Sequence, residues 1–580
     1  MFVYLFEAKS IQSYLFQSGK LKDVISASER LDRLIDNQKD STLAQIIQYA
    51  DLKTDLLTST DSPDAIRFLR CKGGAFYCYS KHEQPLLDLR SLWTLTIEQM
   101  FPSLEYTDAL THATSLASAL DKAHLSLACD RNTPTIKLPI AYAPVQRYSR
   151  TGNPSVPLSP LAKQATHKDD ELEADTDTEL NRQAYQALNI RHSAALQNKF
   201  MPDGVEPFSY PINLEDDFLI DYKVNEVLKP KQDGIKDIAL IHIDGNGLGI
   251  ILMALKNALQ DKSDDELCQG FRIFSDALNE ATIKAAKKAT KFIYDETYHS
   301  NTNNKKHLML PMRPIVLGGD DITLICHADL ALEYSQIFCL EFKKESKHAL
   351  KELFSKFLGQ NTDLKKYLTA SGGVLFHKAG NPFTHSHHLV EELCTYAKVL
   401  TKSVNSSDKI VGPAALAFHR LSNTVYESFD EILERSLTFN NQKIQISQAA
   451  YFIDESTSPA TPFDLIKLTE LVKFCTQKGS PVPISRWRQM ATHIAINDEE
   501  EADRIYHRGR ALSSKVLCDQ LDALLDALTP KTCSRKNWYW VDKITTKHHS
   551  VINDMLIIHH FQSYANANSI ANKIKDTNDA

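Results

Sequence analysis

Two adjacent acids, Asp320 and Asp321, follow a pair of glycines between two apolar segments of the chain. The sequence RPIVLGGDDITLICH, from Arg313 to His327, predicts two strands joined by a tight turn. Such a hairpin tip would hold both carboxylates together, which is unfavourable unless a cation neutralises them. Mg²⁺ suits this position because it takes hard oxygen ligands and leaves sites for substrate phosphates. An ordinary acidic turn is the alternative.

A third acid, Asp244, ends an apolar run, Ile238 to Ile243, that predicts a central strand. The residues after it read GNGLG and predict a turn into a helix, where bare backbone N–H groups can approach an anion closely. In a β-α-β-β order this strand lies beside the hairpin, so Asp244 would complete a two-metal site. The alternative is that Asp244 caps its own helix. The predicted nucleotide-binding residues here are Gly245, Asn246, Gly247, Leu248, Gly249, Gly318 and Gly319.

The elements that would position these acids follow from the hydrophobic periodicity of residues 236–405. Strands are predicted at 238–243, 313–319, 321–327 and 368–377, with helices over 247–297, 329–358 and 388–402. The order β-α-β-β-α-β is typical of a ferredoxin-like sheet.

The first part of the chain repeats this layout. Its segment RCKGGAFYCYS, from Arg70 to Ser80, places a glycine pair between two strand-like runs, and Ala75 and Phe76 stand where the later hairpin has its two acids. This pattern indicates a duplicated sheet unit that has lost its carboxylates in one copy. The chance recurrence of a glycine hairpin is the alternative.

Composition limits the class of protein. A chain of 580 residues exceeds the usual size of one hydrophobic core and predicts two to four domains. The net charge of −7 argues against a chain built mainly to coat nucleic acid. Ten cysteines without a C-x-x-C pair predict buried thiols and no structural zinc. No apolar run reaches the roughly 18 residues that a membrane span needs, so we expect a cytoplasmic protein.

The motifs described above resemble those of a known family. DGNGLG after the strand, GGDD at 318–321, and the later SGGVLFHKAGNPF…LVEELCTYAK resemble the palm domain of the large polymerase-like subunit of type III CRISPR effector complexes, and more distantly GGDEF diguanylate cyclases. The resemblance implies an α+β fold with two ferredoxin-like palm domains, the first degenerate and the second active. The predicted regions are a first palm, a Pro-rich acidic connector with a solvated charge run from Asp169, a second palm and a mainly helical C-terminal part: 1–125, 126–235, 236–410 and 411–580.

The resemblance also implies an activity and its ligands. The family converts ATP to cyclic oligoadenylates, second messengers in antiviral defence, with Mg²⁺ or Mn²⁺ held by residues matching Asp244, Asp320 and Asp321. Lys398 matches a lysine that contacts the triphosphate in related cyclases; a solvated lysine in the last turn of its helix is the alternative. Expected partners are ATP or another nucleoside triphosphate, RNA and CRISPR effector subunits. A non-catalytic RNA-binding scaffold or nucleotide-sensing subunit is the alternative function.

The sequence departs from the family pattern in two places. We find no His-Asp nuclease motif, so DNase activity is not expected. Cysteine pairs that could bind zinc are also missing, and one hypothesis is that the chain is a shortened, standalone relative of the family. A basic aromatic stretch, KTCSRKNWYWVDKITTKHH, could stack on nucleic acid, although Trp538 and Trp540 fit better as anchors of the helical region. The sequence leaves base preference, product ring size, trigger and oligomeric state open.

Overall fold

Helices pack with sheets whose strands pair mainly antiparallel, which makes the fold α+β, as the sequence predicts. The computed structural model describes residues 1–36, 40–56, 62, 64–133, 144–165, 172–187, 195–212, 222–224, 227–229, 237–300, 308–359, 364–404, 410–422, 428–439, 443–453 and 462–562. None of the helices within these ranges is long and apolar enough to cross a lipid bilayer.

The first unit is a four-stranded antiparallel sheet with its helices. Its elements are β1 (Phe2–Lys9), α1 (Ile11–Phe16), α2 (Leu21–Asp32), α3 (Thr42–Tyr49), β2 (Arg67–Lys72), β3 (Ala75–Ser80), α4 (Gln84–Met100), β4 (Glu105–His112) and α5 (Leu116–Asp130). The strand order is β2-β3-β1-β4. Alternate residues of β1 face opposite sides: Val3 and Leu5 join the core under α5, whereas Tyr4 and Phe6 join the main core.

The connecting region contains short elements. They are β5 (Ser155–Pro157), α6 (Pro160–Ala165), β6 (Glu173–Asp175), α7 (Thr176–Ala187), α8 (Ala195–Phe200), β7 (Phe208–Ser209), β8 (Tyr222–Val224) and β9 (Val227–Lys229). The predicted irregular connector is therefore more ordered than its composition indicates.

Most of the acids that the structure describes in this acidic tract are buried, and Glu173 is half-buried. Asp175 and Asp177 are each 1% exposed. Asp175 accepts a hydrogen bond from the backbone N–H of Thr178 at 2.9 Å, and Asp177 accepts one from the Tyr14 hydroxyl at 3.0 Å. The prediction of a solvated charge run is wrong here because these acids cap α7 and bind the first unit. Residues 169–171 of the tract lie outside the described residues.

The second unit follows the predicted β-α-β-β-α-β order. Its elements are β10 (Asp237–Asn246), α9 (Leu248–Ala258), α10 (Asp264–Ser300), β11 (Leu308–Met309), β12 (Met312–Gly318), β13 (Asp321–His327), α11 (Ala328–Ala349), α12 (Lys351–Leu353), a π-helical turn (Phe354–Leu358), β14 (Thr369–Lys378), α13 (Phe383–Ser403) and β15 (Ala415–Arg420).

The C-terminal part is mostly helical, with several short strands. Its elements are α14 (Phe429–Ser436), β16 (Thr438–Phe439), β17 (Ile444–Gln445), β18 (Ala450–Phe452), α15 (Leu465–Thr476), α16 (Ile484–Ala495), α17 (Glu499–Ala511), α18 (Lys515–Leu528), β19 (Cys533–Lys536), β20 (Tyr539–Asp542), β21 (His548–His549) and α19 (Ile552–Gln562). The second unit's sheet has the order β12-β13-β10-β14-β15-β18, and a small sheet has the order β16-β17-β21-β20-β19.

This topology changes two predictions. The predicted boundary at residue 410 cuts the large sheet, because β15 and β18 continue it. The segment 444–453 reads as one strand but forms β17 and β18 in different sheets. Ala449 has a φ of 60° between them, a left-handed conformation that ends a strand.

The four central strands of the two units have the same order, β2-β3-β1-β4 and β12-β13-β10-β14. The hairpins also match: Lys72 pairs with Ala75, and Gly318 pairs with Asp321. Gly74 therefore corresponds to Asp320, and Ala75 to Asp321. The sequence comparison, which matched Ala75 and Phe76 to the acids, was wrong by one residue because it aligned the glycine pairs rather than the paired strand ends.

The cysteines and tryptophans agree with their predicted roles. Eight of the ten cysteines are buried, all ten are free thiols, and Cys129 is exposed. Trp538 is 1% exposed and donates its indole N–H to Asp503 at 2.7 Å. Trp540 is also buried. Because neither ring is free to stack on a base, the anchoring interpretation of this stretch is confirmed.

A buried ion pair joins the connecting region to the first unit. Arg182 on α7 donates from Nε to Asp23 on α2 at 3.1 Å, and both side chains are buried. We expect Arg182→Ala to lower the free energy of unfolding by about 3–5 kcal/mol because it leaves a buried carboxylate without its partner. Denaturant unfolding measures this change.

The control for this prediction is Lys256→Ala, which breaks the exposed 2.6 Å pair between Lys256 and Asp121. Such a surface pair contributes at most about 1 kcal/mol. Equal and small effects of the two substitutions would contradict the role given to the Arg182–Asp23 pair.

Candidate functional site

The hairpin between β12 and β13 turns through two residues, Gly319 and Asp320, and Asp321 is the first residue of β13. Gly318 leaves the space that the Asp321 side chain needs. A Cβ atom at Gly318 would lie 2.1 Å from Oδ1 of Asp321. Glycine at 318 therefore allows the carboxylate of Asp321 to fold over the end of the neighbouring strand.

Asp244 lies near the end of β10, beside this hairpin. Ile243 pairs with Ile322 across the antiparallel ladder, which brings Asp244 level with Asp321. A Cβ atom at Gly245 would lie 3.0 Å from Cβ of Asp320 and 3.1 Å from its Oδ2. The side chain of Asp320 thus covers the backbone at Gly245. The three acids predicted from the sequence are brought together at one edge of the sheet.

Crowding of these half-buried acids changes their protonation. Burial, together with the charges of Asp244 and Asp321, raises the pKa of Asp320 to about 8. Burial and the charge of Asp244 raise the pKa of Asp321 to about 6. A side-chain hydrogen bond joins Asp320 to Asp244. We infer that the cluster retains a proton near neutral pH, because three carboxylates this close cannot all ionise without a counter-cation.

Lys398 on α13 supplies a positive charge to the cluster. Its ammonium group donates to Oδ2 of Asp244. Burial alone would lower the pKa of Lys398, but the charge of Asp244 raises it overall. Lys398 is therefore a member of the site, and the alternative of a solvated lysine at the helix end does not describe it.

The glycine-rich segment after Asp244 packs closely against its neighbours and also forms the turn from β10 into α9. Asn246 donates to Oγ of Ser371 at 2.7 Å, so its amide is directed toward β14. Gly247 precedes α9 with a φ of 89°, and a Cβ atom there would lie 2.6 Å from Cγ2 of Val411. Gly249 has open space on its Cβ side. In the predicted anion cradle, Gly249 at the start of α9 is exposed, whereas residues 245–248 are half-buried.

The predicted metal ligands are neighbours, but they are not arranged as a ligand set. Among the residues that the structure describes, no three His, Cys, Asp or Glu side chains are positioned to hold a metal ion. Asp244 is engaged by Lys398 and by Asp320. The donor chemistry nevertheless fits a hard divalent cation, since the crowded carboxylates offer oxygen ligands and Lys398 is a single positive charge among three acids.

A cavity of 560 Å³ lies between the two units and reaches the acid hairpin. One wall is formed by α1, α2 and the first hairpin, and the other by β12, Asp321 and the start of α13. Its polar lining residues include Ser10, Gln12, Ser13, Asp32, Lys72, Lys199, Asn279, Thr384, His388 and Glu391. The volume lies within the range of small-ligand sites, about 300–1,000 Å³.

His387 is a buried residue of this cavity that sequence reasoning did not place. Its ring lies 4.2 Å from that of Phe16 and 6.1 Å from that of His242, measured between centroids. Burial lowers the pKa of His387 to about 3, so the ring is neutral. The spacing of His387, Glu391 and Lys398 along one face of a helix is the signal that could have linked the cavity to the acids.

No family model and no curated protein matches this sequence. The fold is similar to solved structures of Csm1. A Csm1–Csm4 cassette in complex with cA4 matches over 97% of this chain and 69% of its own, with 10% identity and a TM-score of 0.44. Csm1 from T. onnurineus matches over 91% and 69%, with 11% identity and a TM-score of 0.41. The Csm1–Csm4 subcomplex of the type III-A CRISPR-Csm interference complex matches over 91% and 70%, with 10% identity and a TM-score of 0.41. These structures belong to the class of protein that the sequence motifs resemble, so the predicted resemblance is confirmed at the level of the fold. The likeness concerns the course of the chain alone.

The hairpin glycine gives a direct test of this geometry. We expect Gly318→Ala to destabilise the protein by about 1–3 kcal/mol, because the new methyl group must displace the Asp321 carboxylate. Gly249→Ala is the matched control: its site is open and helical, and alanine there should stabilise the protein by about 0.4–1 kcal/mol. Unfolding curves of both variants check the prediction, and a neutral Gly318→Ala would contradict it.

Proposed function

We propose that this chain is a divalent-metal-dependent nucleotidyltransferase that joins ATP into a cyclic oligoadenylate or a related cyclic nucleotide, acting as a second-messenger synthase in antiviral defence. The observation that supports it is the meeting of Asp244, Asp320 and Asp321 at one sheet edge, beside a cavity of 560 Å³. Clustered carboxylates at the end of β10 and at a hairpin tip are suited to phosphoryl transfer, which depends mainly on positioning and charge neutralisation.

The reaction forms a bond between a ribose hydroxyl oxygen and an α-phosphorus and breaks the bond from that phosphorus to the oxygen bridging to the β-phosphate. Pyrophosphate leaves, and the hydroxyl proton passes to solvent. Bound Mg²⁺ or Mn²⁺, held by Asp244, Asp320 and Asp321, would neutralise the developing charge. Lys398 contributes a point charge for the triphosphate, and the cavity orients the nucleotide.

The shared strand order supports two palm domains, of which the first is degenerate. In the first unit Glu7 pairs with Ala75, so it occupies the position of Asp244. Arg131 at the end of α5 donates to Glu7 at 2.6 Å, as Lys398 does to Asp244. The first unit therefore retains the ion pair, while glycine and alanine replace its two hairpin acids.

The activity is tested by incubating the protein with ATP and Mg²⁺, with and without RNA, and analysing products by mass spectrometry. We expect Asp320→Asn and Asp321→Asn each to reduce product formation by about 100-fold or more, since each removes charge-neutralising capacity from the transition state. Asp265→Asn, at an exposed acid on α10 of the same unit, is the control and should retain activity. A wild-type protein that makes no product with any activating RNA would overturn the proposal.

The role of the cavity has a separate test. Ser13 is an exposed residue of α1 that lines the cavity. We expect Ser13→Trp to weaken ATP binding about tenfold or more, the equivalent of 1.4 kcal/mol, because the indole would fill nucleotide space. Ser91→Trp, on the exposed face of α4, is the matched control. Equal ATP affinities by calorimetry for both variants would exclude the cavity as the nucleotide site.

A nucleotide-sensing or RNA-binding scaffold is the second candidate. The contact between Lys398 and Asp244, with no assembled ligand set among the described residues, favours binding without turnover. This function predicts ATP affinity without product, together with RNA or CRISPR effector subunits that co-purify with the chain. The product analysis above distinguishes the two.

A further inference from the structure

We propose that Lys398 is a built-in counter-ion that occupies Asp244 in place of the divalent metal and releases it when a nucleotide triphosphate arrives. The inference rests on the proposed function, because it assumes that Asp244, Asp320 and Asp321 are the metal ligands. It adds a property that the acids alone do not have: the metal and the nucleotide each make binding of the other tighter.

The first support is the contact itself. The Lys398 ammonium donates to Asp244, and the two side chains are 28% and 33% exposed. An ion pair that is two-thirds shielded is stronger than a fully exposed one, because less water screens it. A metal ion that takes Oδ2 of Asp244 as a ligand must first displace this ammonium group.

The second support is the charge balance of the cluster. Three carboxylates meet here, and Lys398 is the cation that acts on all of them: it pairs with Asp244 and opposes the raised pKa of both Asp320 and Asp321. One monovalent cation only partly neutralises three acids. The Lys398 charge therefore stabilises the acid cluster when no metal is bound. The negative charge that remains on the cluster still attracts a metal ion.

The third support is the mobility that the helix permits. The backbone of α13 is fixed near Lys398, because Ala397 is fully buried and the Cys394 thiol donates to the carbonyl of Ser371 at 3.3 Å. The lysine side chain itself has a flexible four-carbon stem and a partly exposed end. The ammonium group can move to a neighbouring phosphate without any change in the fold.

The first unit provides an internal comparison. At the matching position Arg131 binds Glu7, and the Tyr77 hydroxyl also donates to Glu7. Arginine remains charged, and its planar guanidinium is a less compact and less readily exchanged cation than an ammonium group, although here Nη2 alone binds Glu7. The copy that retains its hairpin acids has instead the cation that exchanges partners more readily.

Coupling follows from the exchange. When a triphosphate binds Lys398, Asp244 becomes free for metal; when metal binds Asp244, Lys398 becomes free for phosphate. By linkage, the factor by which nucleotide raises metal affinity equals the factor by which metal raises nucleotide affinity. Without the lysine, this part of the coupling disappears.

The test measures Mn²⁺ binding by electron paramagnetic resonance, with and without a non-hydrolysable ATP analogue. We expect Lys398→Met to bind Mn²⁺ about tenfold more tightly than wild type without nucleotide, because a 1.4 kcal/mol competitor has been removed. The analogue should raise Mn²⁺ affinity less in this variant than in wild type. Lys402→Met, at an exposed lysine in the last turn of α13, is the control and should match wild type. Equal or weaker Mn²⁺ binding by Lys398→Met would overturn the inference.

A second variant keeps the test decisive if Lys398→Met does not fold. Lys398→Arg keeps the charge and holds Asp244 through a fork, so it should bind Mn²⁺ more weakly than wild type; tighter binding would count against the counter-ion role. Asp321→Asn separates the two proposals. If wild type binds no Mn²⁺, or Asp321→Asn binds it equally well, the metal site of the proposed function fails. If Asp321→Asn loses Mn²⁺ while Lys398→Met behaves as wild type, only the counter-ion role fails.

Discussion

Mutual repulsion among the carboxylates of Asp244, Asp320 and Asp321 is the interaction on which the site depends. Folding brings them together because β10 lies between β13 and β14, so a strand end and a hairpin tip meet at one edge of the sheet. The energy of this crowding is offset locally by a retained proton and by the Lys398 ammonium. The protein thus keeps a site that is unfavourable by itself, as sites prepared for a cationic ligand commonly are.

The surrounding structure makes that crowding possible by removing side chains. A Cβ atom at Gly318 would collide with Asp321, one at Gly245 would press against Asp320, and Val411 fills the space beside Gly247. The glycines are therefore part of the acid cluster, since they determine where its carboxylates lie. Gly318 and Gly319 also line the cavity, whose other wall belongs to the first unit.

Sequence reasoning predicted those parts of the site that depend on strand order. An apolar run ending in Asp244 and a glycine hairpin carrying two acids must meet if the order is β-α-β-β, and they do. It could not predict the contact of Lys398 with Asp244, because helix periodicity gives the face of α13 but not its distance from β10. It also missed the buried acids of α7, since charge composition gives no information on a partner such as Tyr14, 163 residues away in the chain.

The close approach of the two hairpins makes the position of each depend on the other. A Cβ atom on Gly73 would lie 3.4 Å from the backbone nitrogen of Gly319, so the two turns meet almost main chain to main chain. An insertion or a bulky residue in either turn would push the other away and move the acids with it. The turn of the first unit therefore helps to fix the position of the acidic turn, although it carries no acid itself.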